Sequence, residues 1–229
     1  MEKKRFMESR KKYAIIVAGG SGTRMGGDLP KQFISVGGKP ILRHTIERFL
    51  SLSFPVGIIV VVNQEWKDYW KKYCEDYGFL ERYAIPSGGV TRFHSVQNAL
   101  QYLPDDSVVA VHDGVRPFVS TDFLENMFAA GEELGNAIPA LAPVETVREV
   151  NGPESYVLKR DDIRLIQTPQ VFRSEVIKAA YKLPFDPAFT DDASVVEAAG
   201  YRVNLVDGLR YNIKITTPED LELARLRLR

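Results

Sequence analysis

The chain has 229 residues, 45% of them apolar, enough for one substantial core or for one domain carrying an arm. Its 30 Lys and Arg balance 30 Asp and Glu, so no general attraction to nucleic acid is expected, and any phosphate site must gather cations locally. The single cysteine, Cys74, excludes an intrachain disulfide, and no apolar run reaches the ~18–20 residues of a membrane helix, so a reducing, cytoplasmic setting is expected.

Residues 1–12 are mostly charged and read as a frayed tail; the apolar run behind them ends in glycines without a cleavage-like site, which argues against a signal peptide. Residues 13–18, Tyr-Ala-Ile-Ile-Val-Ala, read as a buried first strand. The strand opens into a loop containing Gly19, Gly20, Gly22, Gly26 and Gly27, with the cations Arg24 and Lys31 inside or just past it. Such a loop offers backbone N–H groups to phosphate oxygens at close range, because glycine has no side chain in the way. Two familiar phosphate loops fail here: Gly20-Ser21-Gly22 starts the dinucleotide fingerprint but position 25, its third glycine, is Met, and Asp28 follows Gly27 where a P-loop has lysine. A plain turn would explain the glycines alone; the two cations favour a phosphate cradle.

Beyond Pro40, apolar residues at 41, 42, 45, 46, 49 and 50 predict an amphipathic helix. Residues 56–62 are a continuous β-branched run, the pattern of a strand covered on both faces. Residues 65–77 read as a helix whose aromatic face, Trp66, Tyr69, Trp70 and Tyr73, is packing, with Cys74 a small core residue. A short strand at 83–86, a helix over 91–103, a buried strand at 107–111, a helix over 122–134 capped by Ser120 or Thr121, and a strand at 137–143 follow. This alternation predicts a mostly parallel sheet covered by helices, a Rossmann-like three-layer α/β/α fold.

Residues 144–159 break the alternation with two short extended runs around Asn151-Gly152-Pro153 and no crossover helix. A hairpin arm is expected, and residues 144–160 are the expected homodimer contact, although a hairpin without a partner fits the residues nearly as well. Helices at 174–181 and after Thr190, strands at 202–206 and 212–215, and a C-terminal helix opened by Thr217-Pro218-Glu219-Asp220 complete one domain over residues 13–229.

In an open parallel sheet, ligands gather beyond the carboxyl ends of the strands. Three stretches fall there: the 19–31 loop, Asp113 at the end of the 107–111 run, and the 87–95 turn, Ser-Gly-Gly-Val-Thr-Arg-Phe-His-Ser. Asp113 is placed to face a Mg²⁺ carried by phosphates, or else to serve a turn. His112 reads as a packed core residue, with no partners at zinc-ligand spacing. The 87–95 turn reads equally as a base-reading loop, with Ser95 a donor, or as an ordinary strand-to-helix turn. Lys214 is a cation in an apolar stretch and needs an anion or an exit to water. Thr190-Asp191-Asp192-Ala193-Ser194 has the pattern of a helix N-cap with acids in the first turn.

Together AGGSGTRM, PKQF and HDGVRP resemble the cytidylyltransferases that make CDP-linked sugar alcohols, most closely the branch acting on 2-C-methyl-D-erythritol 4-phosphate in the non-mevalonate isoprenoid pathway. RMGGD is also similar to molybdopterin nucleotidyltransferases, where a lysine directly follows the Asp; here Leu29-Pro30 intervene. The resemblance runs from residue 13 to the C-terminal helix. It implies transfer of a cytidylyl group from CTP to the polyol phosphate, with Mg²⁺, giving 4-diphosphocytidyl-2-C-methyl-D-erythritol and pyrophosphate. It implies catalytic roles for Arg24, Lys31, Lys214 and Arg160, the last reaching a neighbouring subunit. It sets Ala18, Gly19, Gly20, Gly22, Gly89, Arg92, Ser95, Asp113 and Gly114 against the nucleotide, with Asp113 near the metal. Arg116, Thr146, Arg160, Thr190 and Lys214 would face the acceptor; the Pro143-Val144-Glu145-Thr146 stretch is one residue shorter than the family's Pro-Val-x-Asp-Thr. A ribitol 5-phosphate cytidylyltransferase, a non-catalytic nucleotide-binding module and a nicotinamide dehydrogenase remain as alternatives. Retention of both Arg24 and Lys31 disfavours the module, and the broken fingerprint disfavours the dehydrogenase.

Overall fold

Strand β1 (Lys11–Ala18) alternates its small and branched side chains to both faces of a sheet. Ala14, Ile16 and Ala18 enter one apolar cluster, while Ile15 enters the cluster on the other side. The structure, a computed structural model, describes residues 10–20, 29–79 and 83–228. β1 begins two residues inside the stretch expected to fray. Lys12 is held there by an ion pair from Nζ to Glu132 at 2.6 Å, and Arg10 pairs with Glu175 at 2.8 Å.

After β1 the chain makes a two-residue ladder, β2 (Ser35–Val36) with β3 (Lys39–Pro40), and enters α1 (Ile41–Leu50). There follow β4 (Val56–Val62), α2 (Lys67–Asp76) and α3 (Arg92–Leu100), then β5 (Ser107–Asp113), α4 (Thr121–Leu134) and β6 (Asn136–Leu141). Ser120 is the cap of α4, its hydroxyl accepting from the Phe123 N–H at 3.3 Å. The hairpin β7 (Arg148–Asn151) and β8 (Glu154–Val157) turns at Gly152, whose φ of +58° suits glycine. The rest is β9 (Leu165–Ile166), β10 (Gln170–Arg173), α5 (Ser174–Ala180), α6 (Asp192–Ala198), β11 (Leu205–Asp207) and α7 (Pro218–Arg227).

The main sheet runs β11-β6-β10-β5-β1-β4, with β9 pairing β6 off that path. β4 and β5 flank β1 in parallel, β11 joins β6 in parallel, and β10 lies antiparallel between β5 and β6. Side chains of α1, α2 and α4 cover one face, through Leu42, Phe49, Trp70, Leu124 and Phe128. Those of α3, α5 and α6 cover the other, through Phe93, Val96, Ile177 and Val195. The predicted three-layer α/β/α fold is the observed one. The register places Ala18 beside Val62 and Val17 beside Asp113, so the loops leaving β1, β4 and β5 emerge at one edge.

Three expectations need correction. β10 was unforeseen: it has four residues and a buried Gln170 at its start, too short and polar for the buried-strand pattern, yet Val171 and Phe172 are fully buried. Residues 83–86 form no continuous strand. Isolated bridges join Ala84 and Ser87 to β4, and Pro86 has no N–H with which to continue a ladder. Residues 212–215 are extended but are not a strand; a single bond carries the Ile215 N–H to the Val115 carbonyl at 2.9 Å. Among the described residues the hairpin pairs only with itself, and all eight residues of its strands are exposed.

Candidate active site

At the edge where β1, β4 and β5 end lies a cavity of about 510 Å³, within the range of small-ligand sites. Ala18, Gly19, Gly20 and Lys31 line it from the first loop, Gly89, Arg92 and Ser95 from the 87–95 turn, and Asp113 and Lys214 from the far side. A second cavity of about 290 Å³ adjoins it, lined by Arg116, Thr190 and Asp191 among others. Arg92, Asp113 and Lys214 belong to both and form their common wall. Arg24 and Gly22 lie outside the described residues.

Lys31 opens a single turn of 3₁₀ helix, Lys31–Phe33. The next residue fixes the loop: Gln32 is buried, and its side-chain amide donates to the carbonyls of Ala18 at 2.9 Å and Gly20 at 3.0 Å. Those two bonds tie the start of the loop to the 3₁₀ turn.

The second loop is drawn tight against α3. A Cβ on Gly89 would lie 2.3 Å from the His94 Cβ, so only glycine fits. The buried Ser95 hydroxyl accepts from the Gly89 N–H at 3.0 Å and donates to the Thr91 carbonyl at 2.9 Å. With its proton directed to Thr91, Ser95 holds the turn closed and shapes the cavity wall it lines. Gly114 stands beside the cavity without lining it: its N–H donates to the Val17 carbonyl at 2.9 Å, and a Cβ there would press on Leu42 and Ala18.

Asp113 is the electrostatic centre. Its Oδ2 lies 3.0 Å from Arg116 Nε and 3.2 Å from Lys214 Nζ, and its Oδ1 lies 4.0 Å from Arg92 Nε. Burial opposes the charge, but the fields of Lys214, Arg92 and Arg116 outweigh it and hold the carboxyl well below the usual carboxylate range. The backbone is fixed as firmly. The Asp113 N–H donates to Thr168 Oγ1 at 3.1 Å, the Asn212 side-chain amide donates to the Thr168 carbonyl at 2.7 Å, and Arg116 donates to the Asn212 carbonyl at 2.8 Å. His112, next along β5, is the packed residue expected: it stacks edge-on to Phe49 at 5.3 Å, and burial pushes its pKa down to about 4, leaving it neutral.

Arg92 is gripped from behind by a bidentate pair with the wholly buried Asp192, at 2.9 and 2.6 Å. Tyr181 Oη donates to the same carboxylate at 2.6 Å. Burial works against the Arg92 charge, and Asp192 more than compensates, so its pKa is raised.

Arg160 and Thr146 line neither cavity. Both are exposed near the base of the hairpin, and Arg160 donates to the Val144 carbonyl at 2.7 Å. Residues given no site role from the sequence include Gln32, inside PKQF, and Asn63 in the first cavity, and Gln167, Thr168, Gln170 and the cap residue Asp191 in the second. Asn63 directly follows β4, so the rule of strand ends points to it; nothing local in the sequence marks Gln167, Thr168 or Gln170.

Two adjoining cavities beyond the strand ends of an α/β sheet, with Arg92 and Lys214 on their common wall, suit an enzyme of the nucleotidyltransferase type. A family model described as 2-C-methyl-D-erythritol 4-phosphate cytidylyltransferase matches residues 13–229. A protein of that name from Phocaeicola vulgatus is 50% identical over 215 residues, covering 94% of this chain and 98% of its own, and one from Bacteroides fragilis is 49% identical over 92% and 96%. Among solved structures, the 4-diphosphocytidyl-2C-methyl-D-erythritol synthase of Anaerococcus prevotii superposes with a TM-score of 0.80 at 32% identity over 96% of both chains. The Francisella tularensis 2-C-methyl-D-erythritol 4-phosphate cytidylyltransferase gives 0.77 at 32% identity, over 95% of this chain and all of its own. The chain belongs to the 2-C-methyl-D-erythritol 4-phosphate cytidylyltransferase family.

Proposed function

We propose that the larger cavity takes CTP, the smaller takes 2-C-methyl-D-erythritol 4-phosphate, and the wall of Arg92, Asp113 and Lys214 joins the two anions for reaction. The shared wall is the observation that carries this reading. A phosphate oxygen of the acceptor attacks the α-phosphorus of CTP; that P–O bond forms, the bond to the bridging oxygen of the β-phosphate breaks, and pyrophosphate leaves. Both reactants are anions, so the chain contributes position and positive charge rather than a nucleophile of its own. Lys31, which lines the larger cavity, neutralises the triphosphate, with Arg24 expected to join it. Lys214 is two-fifths exposed at the wall and meets the acceptor phosphate. Arg116 holds Asp113 and lines the acceptor side. Thr190 contributes to the same side.

The family's enzymes use a divalent cation, and we assign Mg²⁺. Among the described residues no group of three or more His, Cys, Asp or Glu converges, and Asp113 is the one carboxylate on the common wall. That donor set suits Mg²⁺, which arrives largely coordinated by phosphate and water oxygens and takes one or two carboxylates. Asp113 would hold it through Oδ1, directly or through water, and the ion would supply charge neutralisation of the triphosphate.

We further propose that residues 13–229 act as one domain and that residues 144–160 bring two copies together. The exposed Val150, Tyr156 and Val157 on the hairpin support this, as does the distance of Arg160 and Thr146 from both cavities of their own chain. A second copy would deliver them. No helix of the described residues is long and apolar enough to cross a membrane, and with a single cysteine we assign the enzyme to the cytoplasm.

Pyrophosphate release, measured with the four nucleoside triphosphates against 2-C-methyl-D-erythritol 4-phosphate and ribitol 5-phosphate, tests the reading. Release is expected with CTP and the methylerythritol phosphate. A preference for ribitol 5-phosphate, or nucleotide binding without release, would replace it.

A further inference from the structure

We propose that Asp192, backed by Tyr181, is a positioning residue that holds the Arg92 guanidinium off Asp113 and so keeps one oxygen of that carboxylate open to the nucleotide and its divalent cation. This rests on the proposed nucleotide cavity. Two carboxylates compete for one guanidinium. Asp192 takes both terminal nitrogens of Arg92, at 2.9 and 2.6 Å, while Asp113 Oδ1 stands 4.0 Å from Arg92 Nε. Oδ2 of Asp113 is already committed to Arg116 and Lys214. Among the described residues, Arg92 is therefore the cation that would close over Oδ1 if it moved.

The restraint is built to resist that movement. Asp192 is wholly buried, and Tyr181 Oη fixes its Oδ1 at 2.6 Å. The start of α6 is anchored by Gln170, which donates to Asp191 Oδ2 at 2.7 Å and accepts from the Ala193 N–H at 2.9 Å. A carboxylate clamped in this way sets where a bidentate guanidinium must lie. Without it, the released guanidinium is drawn by the carboxylate it already faces at 4.0 Å, Asp113, and the common wall shuts. Asp192 touches neither cavity; it works through Arg92 alone.

The test is Mn²⁺ binding in the presence of CTP, read by water-proton relaxation, in the wild type, Asp192→Asn, Tyr181→Phe, Arg92→Gln and the Arg92→Gln/Asp192→Asn double variant. Asp192→Asn is expected to weaken Mn²⁺–CTP binding roughly tenfold, and Tyr181→Phe, which leaves the ion pair in place, about twofold. In the Arg92→Gln background, Asp192→Asn is expected to cost nothing more, because the group it restrains is gone. An equal cost in both backgrounds would make Asp192 a purely structural residue and overturn the proposal, as would wild-type binding by Asp192→Asn. Should Asp192→Asn not fold, the double variant and Tyr181→Phe decide: unchanged binding by Tyr181→Phe, or a double variant weaker than Arg92→Gln, overturns it. Failure of the wild type to bind Mn²⁺–CTP would instead remove the nucleotide-cavity reading on which this one stands.

Discussion

The wall around Asp113 and the hairpin of residues 148–157 are opposites. At the wall, buried charge is held by partners from four parts of the chain: Arg92 on α3, Arg116 after β5, Thr168 before β10, and Lys214 before α7. In the hairpin, every strand residue is exposed and Val150, Tyr156 and Val157 present apolar surface to solvent. The contacts at the wall come from within one chain, while the hairpin leaves its apolar side chains exposed. Fixed charge within the chain suits the reacting centre, where a wandering cation would lose its advantage; uncovered apolar surface suits a contact with another molecule.

The contrast can be broken most forcefully at Asp113. Asp113→Asn removes the charge that Lys214 and Arg116 share while leaving both cations in place. A loss of about 3–5 kcal/mol in folding stability is expected, as for breaking a buried ion pair, measured by urea unfolding at neutral pH. A change under about 1 kcal/mol would mean the wall is not held by that charge.

A somewhat smaller effect sharpens the same side. His112 and Asp113 are neighbours on β5 and both have depressed pKa values, but the consequences differ. Burial lowers His112 to about 4, against about 6.5 in an unfolded chain. Between those values the unfolded chain binds a proton that the folded one refuses, so stability from this group is complete above about pH 6.5 and is lost as pH falls toward about 4. The contribution is about 3 kcal/mol. For Asp113 the loss begins only below about 3.9, the unfolded carboxylate value, as pH falls toward its folded value. Denaturant unfolding of the wild type and His112→Asn between pH 7 and 4 should show the variant flatter across the upper window. Parallel curves would contradict the burial argument.

The smallest expected effect belongs to the hairpin. Val150→Ser should alter the folding stability of a single chain by no more than about 0.5 kcal/mol, as at other exposed positions. It should nevertheless shift the mass measured by light scattering from two copies toward one. A large stability loss with no change of mass would place the hairpin with the core instead.

Much of this division was legible in the sequence, for physical reasons. Continuous apolar runs mark β1, β4 and β5, and their carboxyl ends lead directly to Gly19, Asn63 and Asp113. Lys214 declared itself as a cation among apolar residues, although its stretch is not the strand expected. The hairpin was visible from its turn and its lack of a crossover helix. What escaped was non-local. Arg92 and Asp192 are 100 residues apart, and the acid read only as a first-turn residue of its helix. The Thr168–Asn212 bond and the Gln32 staple join side chains that no periodicity connects. β10 was hidden because its four residues draw their burial from flanking strands rather than from a pattern of their own.

The central claim is that one wall brings the nucleotide and the acceptor phosphate together, and Lys214 is the cation on that wall with the freest access to solvent-borne ligand. The most direct measurement is steady-state pyrophosphate release by Lys214→Ala with CTP and 2-C-methyl-D-erythritol 4-phosphate. The account predicts that kcat/KM for the acceptor falls about a hundredfold, or about 3 kcal/mol, in a protein whose unfolding curve stays cooperative. Wild-type kcat/KM for the acceptor in Lys214→Ala would contradict it.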